Sequence, residues 1–160
     1  MWAVSSSTSA GAPPWIIKSA MVRGRDVADL PFEIGPGSAL ADVAITLSNL
    51  TGEVVGTLRD GSGLPIAGYS VLVFAADTTY WTARSPRLPA PVRTATDGTY
   101  RVPGLPDGQY YLAAFTELEA REIGETFLSS AAASSVRVSI TAGERTVQDI
   151  VLGAPAHAPR

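Results

Sequence analysis

The chain has 160 residues, which suffices for one domain, or for one complete domain and part of another, without covalent cross-links. It contains no cysteine, which excludes disulfides, zinc–thiolate sites and thiol nucleophiles but leaves the cellular compartment open. The formal net charge is -3 and no basic run is present, so we expect no binding to nucleic acid.

Most of the sequence predicts β-strands. Residues 1–14 are rich in Ser, Ala, Gly and Pro and predict a disordered linker. From Trp15 onward, short runs that alternate apolar and polar residues are each bounded by Gly, Pro, Asp or Asn, which favours an all-β, antiparallel sandwich. These runs span residues 15–23, 32–34, 41–47, 53–58, 69–75, 92–96, 99–102, 109–115, 136–140 and 146–152.

One segment predicts a short helix instead. Residues 121–133 place Ile123 and Phe127 on one helical face, with glutamates near the beginning. The last residues, 154–160, contain two prolines and little to bury, so we expect a flexible tail. No apolar run is long enough to cross a bilayer, and we expect no membrane insertion.

The sequence contains the same pattern twice. In each copy an apolar strand is followed by a long connecting segment and then by a second strand. The copies are 15–20 with 42–47, and 110–115 with 147–152. Only the second copy is preceded by opening strands and turns. We therefore expect residues 51–153 to be a complete β-sandwich domain, and residues 15–50 to be the rear part of a preceding repeat. The apolar face of that part must be covered by the second unit, by a neighbouring chain or by residues outside this sequence.

Residues 97–112 form the most specific stretch of the sequence. An Asp-Gly pair predicts a tight turn, two glycines and a proline turn the following chain through a corner, and alternation then resumes on the returning strand. The residues that define this motif are Asp97, Gly98, Tyr100, Gly104, Leu105, Pro106, Gly108 and Tyr110.

This stretch, together with residues 56–71, resembles the carboxypeptidase regulatory-like domain family over residues 53–152. The resemblance implies a prealbumin-like or Ig-like β-sandwich, usually exported, that accompanies other domains and performs no chemistry. Residues 15–47, which include Gly24-Arg25-Asp26-Val27, also resemble the tail of a preceding unit in bacterial proteins that carry such modules in tandem.

Catalytic and metal sites lack their usual residues. The single histidine, His157, lies in the predicted tail, so a zinc peptidase site or a Ser-His-Asp triad cannot be assembled, and we expect no metal and no cofactor. Hydrolysis by carboxylates alone is the remaining enzymatic alternative, although a solvated acidic face is the favoured interpretation. The acidic residues concerned are Asp77, Asp107, Glu117, Glu119, Glu122 and Glu125.

The sequence has one lysine, Lys18, and one asparagine, Asn49. An intramolecular isopeptide bond between them, with Glu53 as the proton shuttle, is an alternative to ordinary positions at strand and turn ends. The ordinary interpretation is favoured, because both residue types are common at such places.

The loop over residues 77–88 is the predicted recognition segment, because it is long, aromatic and basic. The candidate binding residues are Tyr80, Trp81, Arg84 and Arg87. Tyr80 and Trp81, with Tyr69, could stack on a sugar or a peptide, whereas a Trp81 that folds back over the sandwich would cap the core.

We therefore predict a non-catalytic accessory or protein-interaction module of an exported bacterial multidomain protein. Its partners would be another protein or neighbouring domains of the same polypeptide, and the alternative is a carbohydrate-binding module for polysaccharide. The expected location is the periplasm, the cell surface or the medium, although the first residues lack the features of a signal sequence.

Overall fold

We describe the protein from a computed structural model that covers residues 15–29, 34–37, 39, 41–82, 85–118 and 123–153. The chain divides into two compact units, Met1–Leu50 and Thr51–Arg160. The linker expected at 1–14, most of the strand expected at 32–34 and the tail expected at 154–160 lie outside the described residues. That the first unit is the rear part of a preceding repeat stays a prediction.

The first unit contains a three-stranded antiparallel sheet with the order β2-β1-β3. Its strands are β1 (Ile16–Val22), β2 (Arg25–Asp26) and β3 (Val43–Ser48). Arg23 and Gly24 join β1 to β2, and both have positive φ, as a two-residue type I′ hairpin turn requires. Asp26 secures this hairpin, because its carboxylate accepts a hydrogen bond from the Ala20 N–H at 3.1 Å.

The second unit is a β-sandwich with one short helix, as predicted, and the structure places the helix on one outer face. One sheet pairs β4 with β7 on one side and with β10 and β11 on the other, and the second sheet has the order β6-β5-β8-β9. The strands are β4 (Gly52–Arg59), β5 (Ser70–Ala75), β6 (Val92–Arg93), β7 (Thr99–Leu105), β8 (Gly108–Phe115), β9 (Val136–Ile140), β10 (Arg145–Val147) and β11 (Ile150–Val151).

The single α-helix of the described residues, α1, spans Glu125–Ala132. It begins later than the predicted segment, of which residues 121 and 122 lie outside the described part. In the described ranges no helix has the length and apolar character that a membrane span needs.

Two apolar clusters hold the second unit together. Strand β5 is buried along its whole length because it contributes to both: Val71 and Val73 face the opposite sheet, whereas Leu72 and Phe74 face α1. This explains the uninterrupted apolar run that the sequence shows there. The cluster between the sheets comprises Val54, Leu58, Val71, Val73, Tyr100, Val102, Leu105, Tyr110, Leu112, Val138, Ile140 and Ile150.

The strand pairing differs from the sequence prediction in two respects. β10 and β11 run parallel to β4, and the strand expected over 146–152 is interrupted at Gln148 and Asp149. The interruption coincides with a side-chain hydrogen bond, because the Asp149 carboxylate accepts the Thr57 N–H at 2.8 Å in place of a backbone carbonyl.

The repeat predicted from the sequence matched residues 42–47, which contain most of β3, with residues 147–152. These two segments pair differently in the structure. Strand β3 lies antiparallel to β1, in the sense in which β9 lies antiparallel to β8. The matched segment 147–152 instead runs along β4. The two segments that the predicted repeat matched therefore occupy different places in their sheets.

Candidate functional site

The 97–112 motif shapes one end of the second unit. The Asp97 carboxylate accepts hydrogen bonds from the N–H and the hydroxyl of Thr99, at 3.0 and 2.7 Å, and Gly98 has a φ of 77°. The Tyr110 hydroxyl donates to the Pro106 carbonyl at 2.8 Å, which closes the corner where the chain passes from one sheet to the other. The corner and the loop after β5 meet at the site described next.

Trp81 lies over the apolar cluster beneath α1. Its indole N–H donates to the Ala75 carbonyl at 2.7 Å, and its ring meets Phe74 edge-on, with 5.8 Å between centroids. An indole that satisfies its only donor on the backbone and packs on a buried phenylalanine has the contacts of a core cap. Of the two roles considered for Trp81, these contacts favour the cap.

Tyr80 and Arg87 contact each other. The Arg87 guanidinium carbon lies 4.7 Å from the centroid of the Tyr80 ring, in cation–π geometry. Arg87 also donates to the Asp107 carbonyl at 2.5 Å, so it connects the loop to the corner. Arg84 lies outside the described residues. The structure thus brings together Tyr80 and Arg87 from the predicted set and directs Trp81 toward the core.

Beside this pair lies an open cleft of about 430 Å³, at the place where β5 ends and β8 begins. Its volume falls within the range of small-ligand sites, and four of its nine lining residues are charged. The lining residues are Ala75, Ala76, Asp77, Tyr80, Arg87, Asp107, Gly108, Gln109 and Arg137.

The charged side chains of the cleft differ in whether they already have hydrogen-bond partners within the chain. The Asp77 carboxylate accepts the Thr79 N–H at 2.9 Å, and hydrogen bonding from Thr79 holds the pKa of Asp77 below its ordinary value. The Asp107 carboxylate accepts the Ala142 N–H. The side chain of the exposed Arg137 makes no hydrogen bond or ion pair with any residue that the structure describes. The cleft therefore offers a guanidinium whose donors are available to a ligand.

Sequence reasoning missed Gln109 and Arg137. Arg137 lies opposite Tyr111, on the face of β9 that points away from Val138 in the core. The alternation of residues 136–140 carried that signal, because it placed a charged residue between two core positions. The alternation could not reveal that the loop over residues 77–88 lies beside that face of β9.

Of the acidic residues considered for catalysis, Asp77 and Asp107 line the cleft together. Glu117 is exposed and lines a separate depression with Arg93, whereas Glu119 and Glu122 lie outside the described residues. Within the described ranges, no group of three or more His, Asp or Glu side chains is placed to hold a metal ion.

Glu53 of β4 connects its strand to β7 and β10 on the outer face of the sheet that these strands form in the second unit. It accepts hydrogen bonds from Arg145 on β10 and from Arg101 on β7, the latter at 2.6 Å. These hydrogen bonds lower the pKa of Glu53, with Arg145 the larger cause. A carboxylate bound by two guanidinium groups is poorly suited to act as the proton shuttle of an isopeptide bond.

Acidification is expected to weaken the second unit through Glu53. Because its pKa is lowered by folding, its contribution is complete above the ordinary value of 4.5 and is lost as the pH falls through the lowered value. The arginines are mostly exposed, so the effect is at most about 1 kcal/mol. Urea unfolding of Glu53→Gln at about pH 3 and about pH 7 should show a smaller acid loss than the parent shows. Glu144→Gln, at an exposed carboxylate, should retain the parent's pH dependence.

Comparison with known families identifies the second unit. The sequence model of the carboxypeptidase regulatory-like domain matches residues 53–153. The chain belongs to this family. The carboxypeptidase regulatory-like domain coincides with the β-sandwich, and it includes the cleft and the 97–112 motif. No curated protein matches the chain.

Several solved structures match parts of the chain at low identity. The minor pilin GBS52 of Streptococcus agalactiae is 18% identical, with a TM-score of 0.42 over 79% of this chain and 61% of its own. The Bacillus anthracis TIE protein is 13% identical, with a TM-score of 0.42 over 71% of this chain and 20% of its own. The Klebsiella pneumoniae 5-hydroxyisourate hydrolase is 18% identical, with a TM-score of 0.36 over 66% and 86%. The chain thus spans less than two thirds of the first two.

Proposed function

We propose that the chain is a non-catalytic interaction module of an exported bacterial multidomain protein, and that its cleft holds a segment of a protein partner. The observation that carries this proposal is Arg137, whose guanidinium lines the cleft without a partner among the described residues. Membership of the carboxypeptidase regulatory-like family supports an accessory role outside the cytoplasm.

The carboxylates of the cleft support a binding role over hydrolysis. Acid-pair hydrolysis needs one carboxyl group with a raised pKa that can donate a proton. Hydrogen bonding from Thr79 lowers the pKa of Asp77, which is the opposite direction. The Asp107 carboxylate holds the Ala142 amide and so serves to fix the turn after β9. Both aspartates therefore act as parts of the scaffold.

The partner segment is expected to carry a carboxylate. A guanidinium presents a fork of N–H donors that matches the two oxygens of Asp or Glu. Asp77 and Asp107 already accept hydrogen bonds from backbone amides, so the Arg137 guanidinium is the charged group of the cleft whose hydrogen-bonding capacity is left for a ligand. An acidic side chain that enters beside Arg137 would also approach the Gln109 side chain.

Substitution of Arg137 by alanine is expected to weaken binding of an acidic peptide about tenfold, because the carboxylate loses its bidentate donor. The measurement is isothermal titration with a Glu-rich probe peptide and with a Lys-rich peptide of equal length. Arg25→Ala removes the same charge from the hairpin of the first unit and should leave the affinity unchanged. Equal affinity for both peptides, or binding that survives Arg137→Ala, would contradict the proposal.

Carbohydrate binding is the second hypothesis, and one observation favours it. The cleft is lined by carboxylate, amide and guanidinium groups, which pair well with sugar hydroxyls. The aromatic platform is weaker, because Trp81 packs on Phe74 and Arg87 contacts the Tyr80 ring. Titration of the same proteins with neutral polysaccharide distinguishes the two, since only the carbohydrate hypothesis expects heat of binding there.

A further inference from the structure

Strand β9 is the outer strand of its sheet, and the pairing of its neighbours shows which of its backbone groups face outward. Opposite residues in antiparallel strands alternate between pairs that exchange backbone hydrogen bonds and pairs whose N–H and C=O groups point away from each other. The Gln109 carbonyl of β8 accepts the Ala76 N–H at 2.8 Å, on the side of β5. The backbone of Gln109 therefore points away from β9, and that of its partner Ser139 points away from β8.

The same direction applies to Arg137, which lies two residues before Ser139. The register of β8 and β9 has no shift between these positions, so the N–H and C=O of Arg137 also point to the free edge. The Ser139 carbonyl accepts the Thr146 hydroxyl of β10, outside this sheet, at 3.4 Å, which agrees with that direction. The N–H and C=O of Arg137 and the Ser139 N–H have no hydrogen-bond partner among the described residues. They offer two donors and one acceptor to an added strand.

The other edges of the second unit are less suited to accept a strand. The Leu58 N–H donates to the Gly98 carbonyl at 2.9 Å, which places Pro103, an odd number of residues further along β7, on the outward side. A proline has no N–H, so it interrupts that edge. The remaining outer strands, β6, β10 and β11, have two or three residues each.

We infer, on the basis of the proposed function, that the partner segment pairs with the edge of β9 as an extended antiparallel strand in which acidic and apolar residues alternate. A residue opposite Arg137 in such a strand has its side chain on the face of the guanidinium, with about 5 Å between Cβ atoms, so a carboxylate there pairs with it. The next residue faces the other side of the sheet, beside the buried Val138, where an apolar side chain fits.

A second copy of the chain is a poorer occupant of this edge. Antiparallel pairing of two β9 strands would bring two Arg137 side chains onto one face as near neighbours. Like charges in such positions are destabilising, whereas the carboxylates of an acidic segment neutralise Arg137. Charge therefore favours an acidic segment over a second β9.

The test uses three peptides of about seven residues in which Glu and Val alternate. One is unmodified, the second is methylated on the backbone nitrogens of its Glu residues, and the third on those of its Val residues. In the inferred pairing the Glu residues lie opposite Arg137 and Ser139, so their N–H groups face β9 and those of the Val residues face solvent. Titration calorimetry should show at least about tenfold weaker binding for the Glu-methylated peptide and an unchanged affinity for the Val-methylated peptide.

Amide hydrogen exchange, measured by NMR on the whole chain, gives a second readout. Without peptide, the outward N–H groups of Arg137 and Ser139 should exchange faster than that of Val138, which faces β8. The unmodified peptide should slow exchange at Arg137 and Ser139 by at least about tenfold.

Four results would contradict the inference. Equal affinity for all three peptides, with binding lost in Arg137→Ala, would overturn the strand pairing and leave the proposed function standing. Weaker binding of the Val-methylated peptide alone would overturn the antiparallel arrangement. A dimer, detected by light scattering, in which Arg137 and Ser139 are protected without peptide would make a second copy the occupant. Failure of the unmodified peptide to bind would overturn the proposed function as well.

Discussion

Replacing Trp81 with alanine is expected to lower the free energy of unfolding by about 3 kcal/mol. The indole packs edge-on against Phe74 and covers the cluster beneath α1, so its removal leaves a cavity. It also removes the donor that satisfies the Ala75 carbonyl. Urea denaturation followed by circular dichroism measures the change.

Two companion variants separate the contributions. Trp81→Phe retains most of the apolar contact and loses the N–H, so it should cost about 1 kcal/mol. Tyr80→Ala removes an aromatic ring whose contact is the Arg87 guanidinium, and it should also cost about 1 kcal/mol. If Trp81→Ala instead left stability unchanged and abolished binding of a polysaccharide, Trp81 would be a binding residue, and the carbohydrate hypothesis would replace the present one.

Gly98→Ala is expected to destabilise the second unit by about 3 kcal/mol. Its φ of 77° is a left-handed conformation that costs an alanine roughly 1 kcal/mol. In addition, a Cβ there would lie 2.8 Å from the Pro65 Cβ and 3.0 Å from the Leu58 carbonyl oxygen, so the turn must move away from β4. Thermal unfolding measured by calorimetry gives the loss.

Gly104→Ala provides the matched control. Gly104 has nearly the same backbone conformation, with a φ of 79°, but a Cβ there would meet no atom within 4 Å. It should therefore show the conformational cost alone, about 1 kcal/mol. Equal losses at the two positions would show that close packing of the Asp97-Gly98 turn against β4 contributes nothing.

The sequence predicted the β-sandwich because its signals are local. Short apolar runs bounded by turn residues located β4, β5 and β8 to within a residue or two. It missed the break at Asp149, since a carboxylate that accepts the Thr57 N–H depends on a strand more than ninety residues away. Parallel pairing of β10 with β4 was hidden for the same reason.

The candidate site was predictable only in part. Length and composition indicated the loop that contains Tyr80 and Arg87, because long aromatic loops are uncommon in compact domains. Arg137 and Gln109 come from β9 and β8, and only the folded sheet brings them beside that loop. For Trp81 the sequence left two roles open, because its contact with Phe74 follows from how the chain turns after β5.

Helix α1 cannot be removed from the sheet of β6, β5, β8 and β9 without exposing apolar side chains. Leu72, Phe74 and Ala113 are buried because α1 and its flanking segments lie over them. A version of the domain without the segment between β8 and β9, which contains α1, would expose these side chains to water and would be prone to aggregate. Relatives that lack this segment should therefore carry hydrophilic residues at these three positions, and β5, which here is apolar from Val71 to Ala75, would then alternate with a period of two residues.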